Sequence, residues 1–162
     1  HDCSFDMTAA ASTSTIGIAT TTTAISTDDV VIARCTFRIN SAQGPAIRMA
    51  DCFNYTIEDN QIRVYDAVTL AEAISVAGVT LNLGTIQRNL IVGQWGATVV
   101  IGIAGGDTAS TRAVYIADNR FGGLSSSDKF IDTFDSADAL IVENYLASVG
   151  AGSGGALFTA IT

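Results

Sequence analysis

The sequence predicts an all-β chain: a parallel β-helix of about six coils with an asparagine/cysteine ladder at one corner. A recurring segment, a residue pattern that demands a bend, and a β-rich composition together predict it. The segment Ile57-Glu58-Asp59-Asn60-Gln61-Ile62 returns as Ile86-Gln87-Arg88-Asn89-Leu90-Ile91, Ile116-Ala117-Asp118-Asn119-Arg120-Phe121 and Ile141-Val142-Glu143-Asn144-Tyr145-Leu146. Ile32-Ala33-Arg34-Cys35-Thr36-Phe37 keeps the frame with cysteine in the asparagine place, and Asp2-Cys3-Ser4-Phe5 matches the end of one more copy. The column Cys3, Cys35, Asn60, Asn89, Asn119, Asn144 advances in steps of 32, 25, 29, 30 and 25 residues. Self-similarity at that period marks a repeat architecture.

Within each copy, apolar residues stand three before and two after the column. On one straight strand those places face opposite sides. The chain must bend between them, so the repeat reads strand, corner, strand, with the column residue turned inward at the corner. Stacked repeats pair in register about 4.8 Å apart. Stacked asparagines can then hydrogen-bond amide to amide, which satisfies a group that costs roughly 1–3 kcal/mol when buried alone. Cys3 and Cys35 are expected at the same corner as buried, stacked thiols, at a spacing that also permits a disulfide. Cys52 has no partner in the pattern. The residue before the column faces out and reads Arg34, Asp59, Arg88, Asp118, Glu143. Opposite charges on adjacent levels attract by roughly 0.2–1 kcal/mol, so these residues form a register-setting charge ladder. Asp118 beside Glu143 breaks its alternation.

Further short, β-branched strands are expected at 16–18, 30–32, 46–49, 79–83, 99–103 and 113–116. Loops are expected at 40–44, 65–72, 105–111 and 124–129. A short helix over 68–77 is an alternative, because Leu70, Ala73, Ile74 and Ala77 have helical spacing. Residues 150–155 are Gly-rich and read as a connector or tight turn, with a last strand over 156–161. One domain is expected over 1–149, and 150–162 either belongs to it or links to a partner.

The composition agrees: of 162 residues, 48 % are hydrophobic and only 15 % charged, with 15 Gly and a single Pro, Pro45. The apolar residues are mostly Ile, Val, Leu and Ala, and Thr and Ser are abundant, which with few helix signals reads as β-rich. Net charge is −8 without a basic stripe, so binding to nucleic-acid backbones is not expected. No window reaches the roughly 18 apolar residues of a membrane helix, and no basic stretch followed by an apolar run opens the sequence. It opens inside a repeat, which points to a processed protein or a segment of a longer one.

The repeated I-x-x-N-x-apolar corner, over about residues 1–146, resembles the right-handed parallel β-helix proteins of the pectate-lyase-like group. That group includes pectate lyases, polygalacturonases and the trimeric tailspikes and fibres of bacteriophages. The resemblance implies a right-handed coil and leaves function open between enzyme and inert fibre. Its enzymes use carboxylates on an outward face, and glycosidic hydrolysis needs an acid and a base or nucleophile. The richest local cluster offers Asp132, Asp135 and Asp138 as candidates; the plainer reading is solvated carboxylates that cap turns. The Gly-His and Arg-x-Lys motifs of polygalacturonases are missing, and the sole histidine is His1. Three scattered cysteines and His1 lack zinc-ligand spacing, and no calcium ligand set converges. No metal or cofactor is implied. Trp95, in Gly93-Gln94-Trp95-Gly96, is the one aromatic candidate: its face suits a sugar ring and equally a subunit contact.

The residues facing outward are rich in Thr, Ser and Ala, which suits long side-by-side contacts. The expected function is therefore a structural or receptor-binding component of a virion: a tailspike, tail fibre or capsid decoration, projecting rigidly and contacting a glycan around Trp95. A homotrimer or larger virion assembly on a virion or extracellular surface is expected, with a cell-surface polysaccharide as possible partner. The alternatives are a polysaccharide-degrading lyase or hydrolase of the same fold, and a bacterial surface adhesin segment.

Overall fold

The computed structural model describes residues 1–7, 18–19, 29–39, 45–50, 52, 54–64, 73–78, 82–93, 99–105, 112–123, 129–132, 138–149 and 156–158. Among them the chain is all-β. Its strands are β1 (Ser4–Met7), β2 (Ile18–Ala19), β3 (Val30–Ala33), β4 (Thr36–Ile39), β5 (Ile47–Ala50) and β6 (Asn54–Glu58). Next come β7 (Gln61–Val64), β8 (Ile74–Gly78), β9 (Asn82–Gln87), β10 (Leu90–Val92), β11 (Val99–Gly105) and β12 (Arg112–Ala117). The last are β13 (Arg120–Gly123), β14 (Lys129–Asp132), β15 (Asp138–Val142), β16 (Tyr145–Val149) and β17 (Ala156–Phe158).

The strands join three sheets in rotation. The first sheet has the order β1-β4-β7-β10-β13-β16, the second β17-β14-β11-β8-β5-β2, and the third β15-β12-β9-β6-β3. Every described pairing is parallel, and each joins a strand to its equivalent in the neighbouring repeat. This arrangement is compatible with a β-solenoid. Each sheet contributes one apolar column in register. The third sheet aligns Ile32, Ile57, Ile86, Ile116 and Ile141. The first aligns Phe5, Phe37, Ile62, Ile91 and Phe121. The second aligns Ile47, Ile74, Ile101 and Ile131.

These columns form the core: Phe37, Ile57, Ile62, Ile74, Ile86, Ile91, Ile101, Ile116 and Ile131 are fully buried. A period of two carries them inward, so in β4 Phe37 and Ile39 are buried while Arg38 is exposed. Phe5 and Phe37 stack with ring centroids 4.8 Å apart and planes 6° from parallel, the separation expected of neighbouring strands. One column mixes sizes: Tyr55 of β6 lies level with Gly84 of β9. A Cβ on Gly84 would fall 2.0 Å from Tyr55 Cζ, so glycine there makes room for the buried ring.

The helix alternative for 68–77 is overturned where it can be seen. Ile74–Gly78 is strand β8, held between β5 and β11. Ile74 and Val76 are buried and Ser75 is half-buried, an alternation that satisfies two neighbouring strands where a helix would satisfy neither. Residues 65–72 lie outside the described residues. The strand expected at 79–83 is described from Asn82 and extends to Gln87, with 79–81 outside the described residues. The tail strand is described over Ala156–Phe158, and the Gly-rich 150–155 segment lies outside the described residues, as does 40–44.

Candidate functional site

Each repeat passes from the third sheet to the first through a two-residue corner. The first corner residue has left-handed backbone: φ is 59° at Asp2, 54° at Arg34, 55° at Asp59, 53° at Arg88, 54° at Asp118 and 52° at Glu143. That conformation breaks the in-out alternation. Glu58 and Asp59 both face outward, and Asn60 then turns in and is buried. The bend required by the sequence pattern is thus made at one residue.

The inward residues form a continuous hydrogen-bonded column. Asn60 Nδ2 donates to Asn89 Oδ1 at 3.0 Å and to Ile32 O at 2.9 Å. Asn89 repeats this with Asn119 Oδ1 and Ile57 O, and Asn119 with Asn144 Oδ1 and Ile86 O. Each Oδ1 also accepts a backbone N–H from the preceding level: Asn60 N to Asn89, Asn89 N to Asn119, and Asn119 N to Asn144. Cys35 N donates to Asn60 Oδ1 at 2.9 Å, so the thiol level joins the ladder through its backbone. Cys3 and Cys35 are free thiols. Cys35 is buried, but Cys3 is exposed, contrary to expectation, because β1 is the outermost strand of its sheet. Cys52 is free and buried.

The left-handed residues point outward and are exposed. Arg34 grips Asp2 with Nε and one terminal nitrogen at 2.7 and 2.8 Å. Arg88 grips Asp59 in the same way at 2.9 and 3.0 Å and also donates to Glu58 at 2.6 Å, which in turn accepts from Gln87 Nε2. These hydrogen bonds hold the Asp2 and Asp59 carboxyls below the usual carboxylate range and raise both guanidinium values. Past Arg88 the pairing stops. Among the described residues, Asp118, Arg120 and Glu143 make no side-chain hydrogen bond or ion pair with one another or with a neighbour.

Those residues line a cleft of about 820 Å³, together with Arg88, Asn89, Leu90 and Tyr145. Leu90, Arg120 and Tyr145 are in register as the first residues of β10, β13 and β16. Asp118 and Glu143 stand level on adjacent repeats, since Ala117 pairs with Val142. One wall is therefore the corner column and the other is the outward edge of the first sheet. Tyr145 is 62 % exposed. Its described lining holds donors, acceptors, an aromatic face, two arginines and two carboxylates. Reading the sequence by its repeat marks the place, through the broken alternation at Asp118 and Glu143. It misses Leu90, Arg120 and Tyr145, whose common position just after the column carries no shared residue type.

Of the other sequence candidates, two lie among the described residues, on different sheets. Asp132 ends β14 in the second sheet, and Asp138 opens β15 in the third. Asp135 and Trp95 lie outside the described residues. Among the described residues, no three His, Cys, Asp or Glu side chains are grouped to hold a metal ion. No family model, curated protein or solved structure matches this chain.

Proposed function

We propose that this chain is a right-handed parallel β-helix of about six coils, serving as a rigid structural and receptor-binding component of a virion. The in-register asparagine ladder carries this reading: it ties successive levels into a stiff rod, and among the described residues no catalytic constellation accompanies it. Right-handedness follows from the general rule for parallel crossovers. Sheets of six, six and five strands support a count of about six coils. The tailspike, tail-fibre or capsid-decoration role, on a virion or extracellular surface, rests on the likeness of the repeated corner to such rods.

A side-by-side homotrimer is part of the reading. The outer face of the third sheet bears Val31, Leu83, Tyr115 and Leu140, all exposed. Val31, Thr56, Thr85, Tyr115 and Leu140 form one uncharged column across it. A chain of net charge −8 associates with its own kind most readily through a face without charge. The purified chain is expected to run as a trimer by light scattering and to resist detergent at room temperature. A stable monomer would overturn the trimeric assembly.

A further inference from the structure

We propose that the cleft between Arg88 and Tyr145 is a binding site for a neutral oligosaccharide. The proposal deepens the receptor-binding reading by giving it a surface and a ligand class, and it moves the glycan contact away from Trp95.

The contrast along the corner column is the starting point. At the levels of Asp2, Arg34, Asp59 and Arg88, each charged corner side chain is engaged by a neighbour. At the next two levels Asp118, Arg120 and Glu143 are not engaged by any described residue, and it is here that the cleft lies. Two carboxylates and a guanidinium held side by side in a concavity form a polar surface without a partner among the described residues.

The chemistry selects the ligand. Asp118 and Glu143 accept hydrogen bonds, and each carboxylate can take two O–H donors from adjacent hydroxyls. Arg120 offers paired N–H donors to ring and hydroxyl oxygens. Tyr145 presents an exposed ring face with a polar tip, suited to the C–H face of a sugar, and Leu90 adds an apolar floor. A polyanion would meet two carboxylates, and a basic peptide would meet Arg88 and Arg120 in the same cleft. Interleaved charges of both signs disfavour either, whereas a polyhydroxylated neutral chain uses both. The volume of about 820 Å³ lies within the roughly 300–1,000 Å³ of small-molecule sites.

The site is also held ready. Asp118 and Glu143 project from left-handed corners above Asn119 and Asn144, which the ladder fixes. Arg88 is locked by Asp59 and Glu58. The backbone beneath the site is thus fixed, and binding has to order only the side chains of Asp118, Arg120, Glu143 and Tyr145.

The test is calorimetric titration of the intact chain with neutral hexasaccharides of glucose, galactose, mannose and N-acetylglucosamine, and with heparin hexasaccharide and hexalysine. The proposal expects saturable binding of at least one neutral hexamer that persists in about 0.5 M salt, where exposed ion pairs are screened. Tyr145→Ala and Glu143→Gln should each weaken it about tenfold or more, equivalent to roughly 1.4 kcal/mol. Tyr145→Phe should retain most of the affinity. Arg63→Ala, on the same sheet but outside the cleft, should change nothing. Matched melting curves establish that each variant is folded. No saturable binding of any neutral hexamer overturns the proposal. So does binding that survives Tyr145→Ala, or binding confined to heparin or hexalysine and lost in salt. Failure here with a detergent-resistant trimer intact refutes the cleft assignment alone; a monomer that binds the sugar refutes the trimeric assembly alone.

Discussion

Asp2, Asp29, Arg34, Asp59, Arg88, Asp118 and Glu143 all hold φ between 52° and 59°. For residues other than glycine this region costs roughly 1–2 kcal/mol, with asparagine and aspartate the most tolerant. Glu143 has neither that tolerance nor an ion pair among the described residues, and it stands beside Asp118. Glu143→Asn should therefore stabilise the chain by about 0.5–1 kcal/mol, seen as a rise of a few degrees in a thermal melt; an unchanged or lower Tm would refute the strain. Arg88 and Arg34 occupy the same conformation but hold aspartates. Because Asp59 and Asp2 are depressed in the fold, their contribution is complete above the ordinary carboxylate pKa of about 3.9. It is lost as pH falls through the lower folded values, while the arginines stay charged. The stability gap between the native chain and Arg88→Gln, followed by urea unfolding at a series of pH values, should be level near neutrality and close toward about pH 2. A gap independent of pH would count against the pairing. The alternating charges were legible in the sequence. The left-handed backbone was not, since neither arginine nor glutamate signals it.

Strand and ladder respond to different substitutions. Removing the Asn89 side chain leaves Asn60 N and Nδ2 without the oxygen they share, takes a side-chain donor from Ile57 O, and leaves Asn119 Oδ1 with only the backbone N–H of residue 89. All of this lies in the buried interior, so Asn89→Ala should cost about 3 kcal/mol or more in urea unfolding. A loss below about 1 kcal/mol would mean that water satisfies the corner. Gly84→Ala drives a methyl group into the Tyr55 ring, where real atoms cannot overlap, and should destabilise by about 1–3 kcal/mol as overpacking does. The double variant Tyr55→Val with Gly84→Ala should recover much of that loss, because Val30 and Val114 already occupy the same column. Failure of the second change to rescue the first would place the strain elsewhere. The isoleucine columns made most strands readable in the chain. β8 was obscured because Leu70, Ala73, Ile74 and Ala77 imitate a helical face, and only pairing with β5 and β11 decides the matter.

In the whole molecule, each repeat touches its neighbours and little else, so stability is close to a sum over adjacent levels and the ends open first. Equivalent amides test this cleanly. Thr36 N, Gln61 N, Leu90 N and Arg120 N each donate to the preceding column carbonyl at 2.8–2.9 Å. Equal bonds should nonetheless exchange unequally: hydrogen exchange at Gln61 and Leu90 should be at least tenfold slower than at Thr36, beside the outermost strand β1. Uniform rates would indicate one all-or-none unit. The inward architecture was legible because burial repeats the same residue types at every level. The outer cleft was only half legible, because outward residues obey no such repetition: Thr36, Gln61, Leu90, Arg120 and Tyr145 share a position and nothing else. The ladder has one more consequence. Successive asparagines are separated by 29, 30 and 25 residues, yet all three amide links measure 3.0 Å. The column thus works as a phase reset: a length error introduced in one loop is cancelled at the next asparagine and does not accumulate from one level to the next.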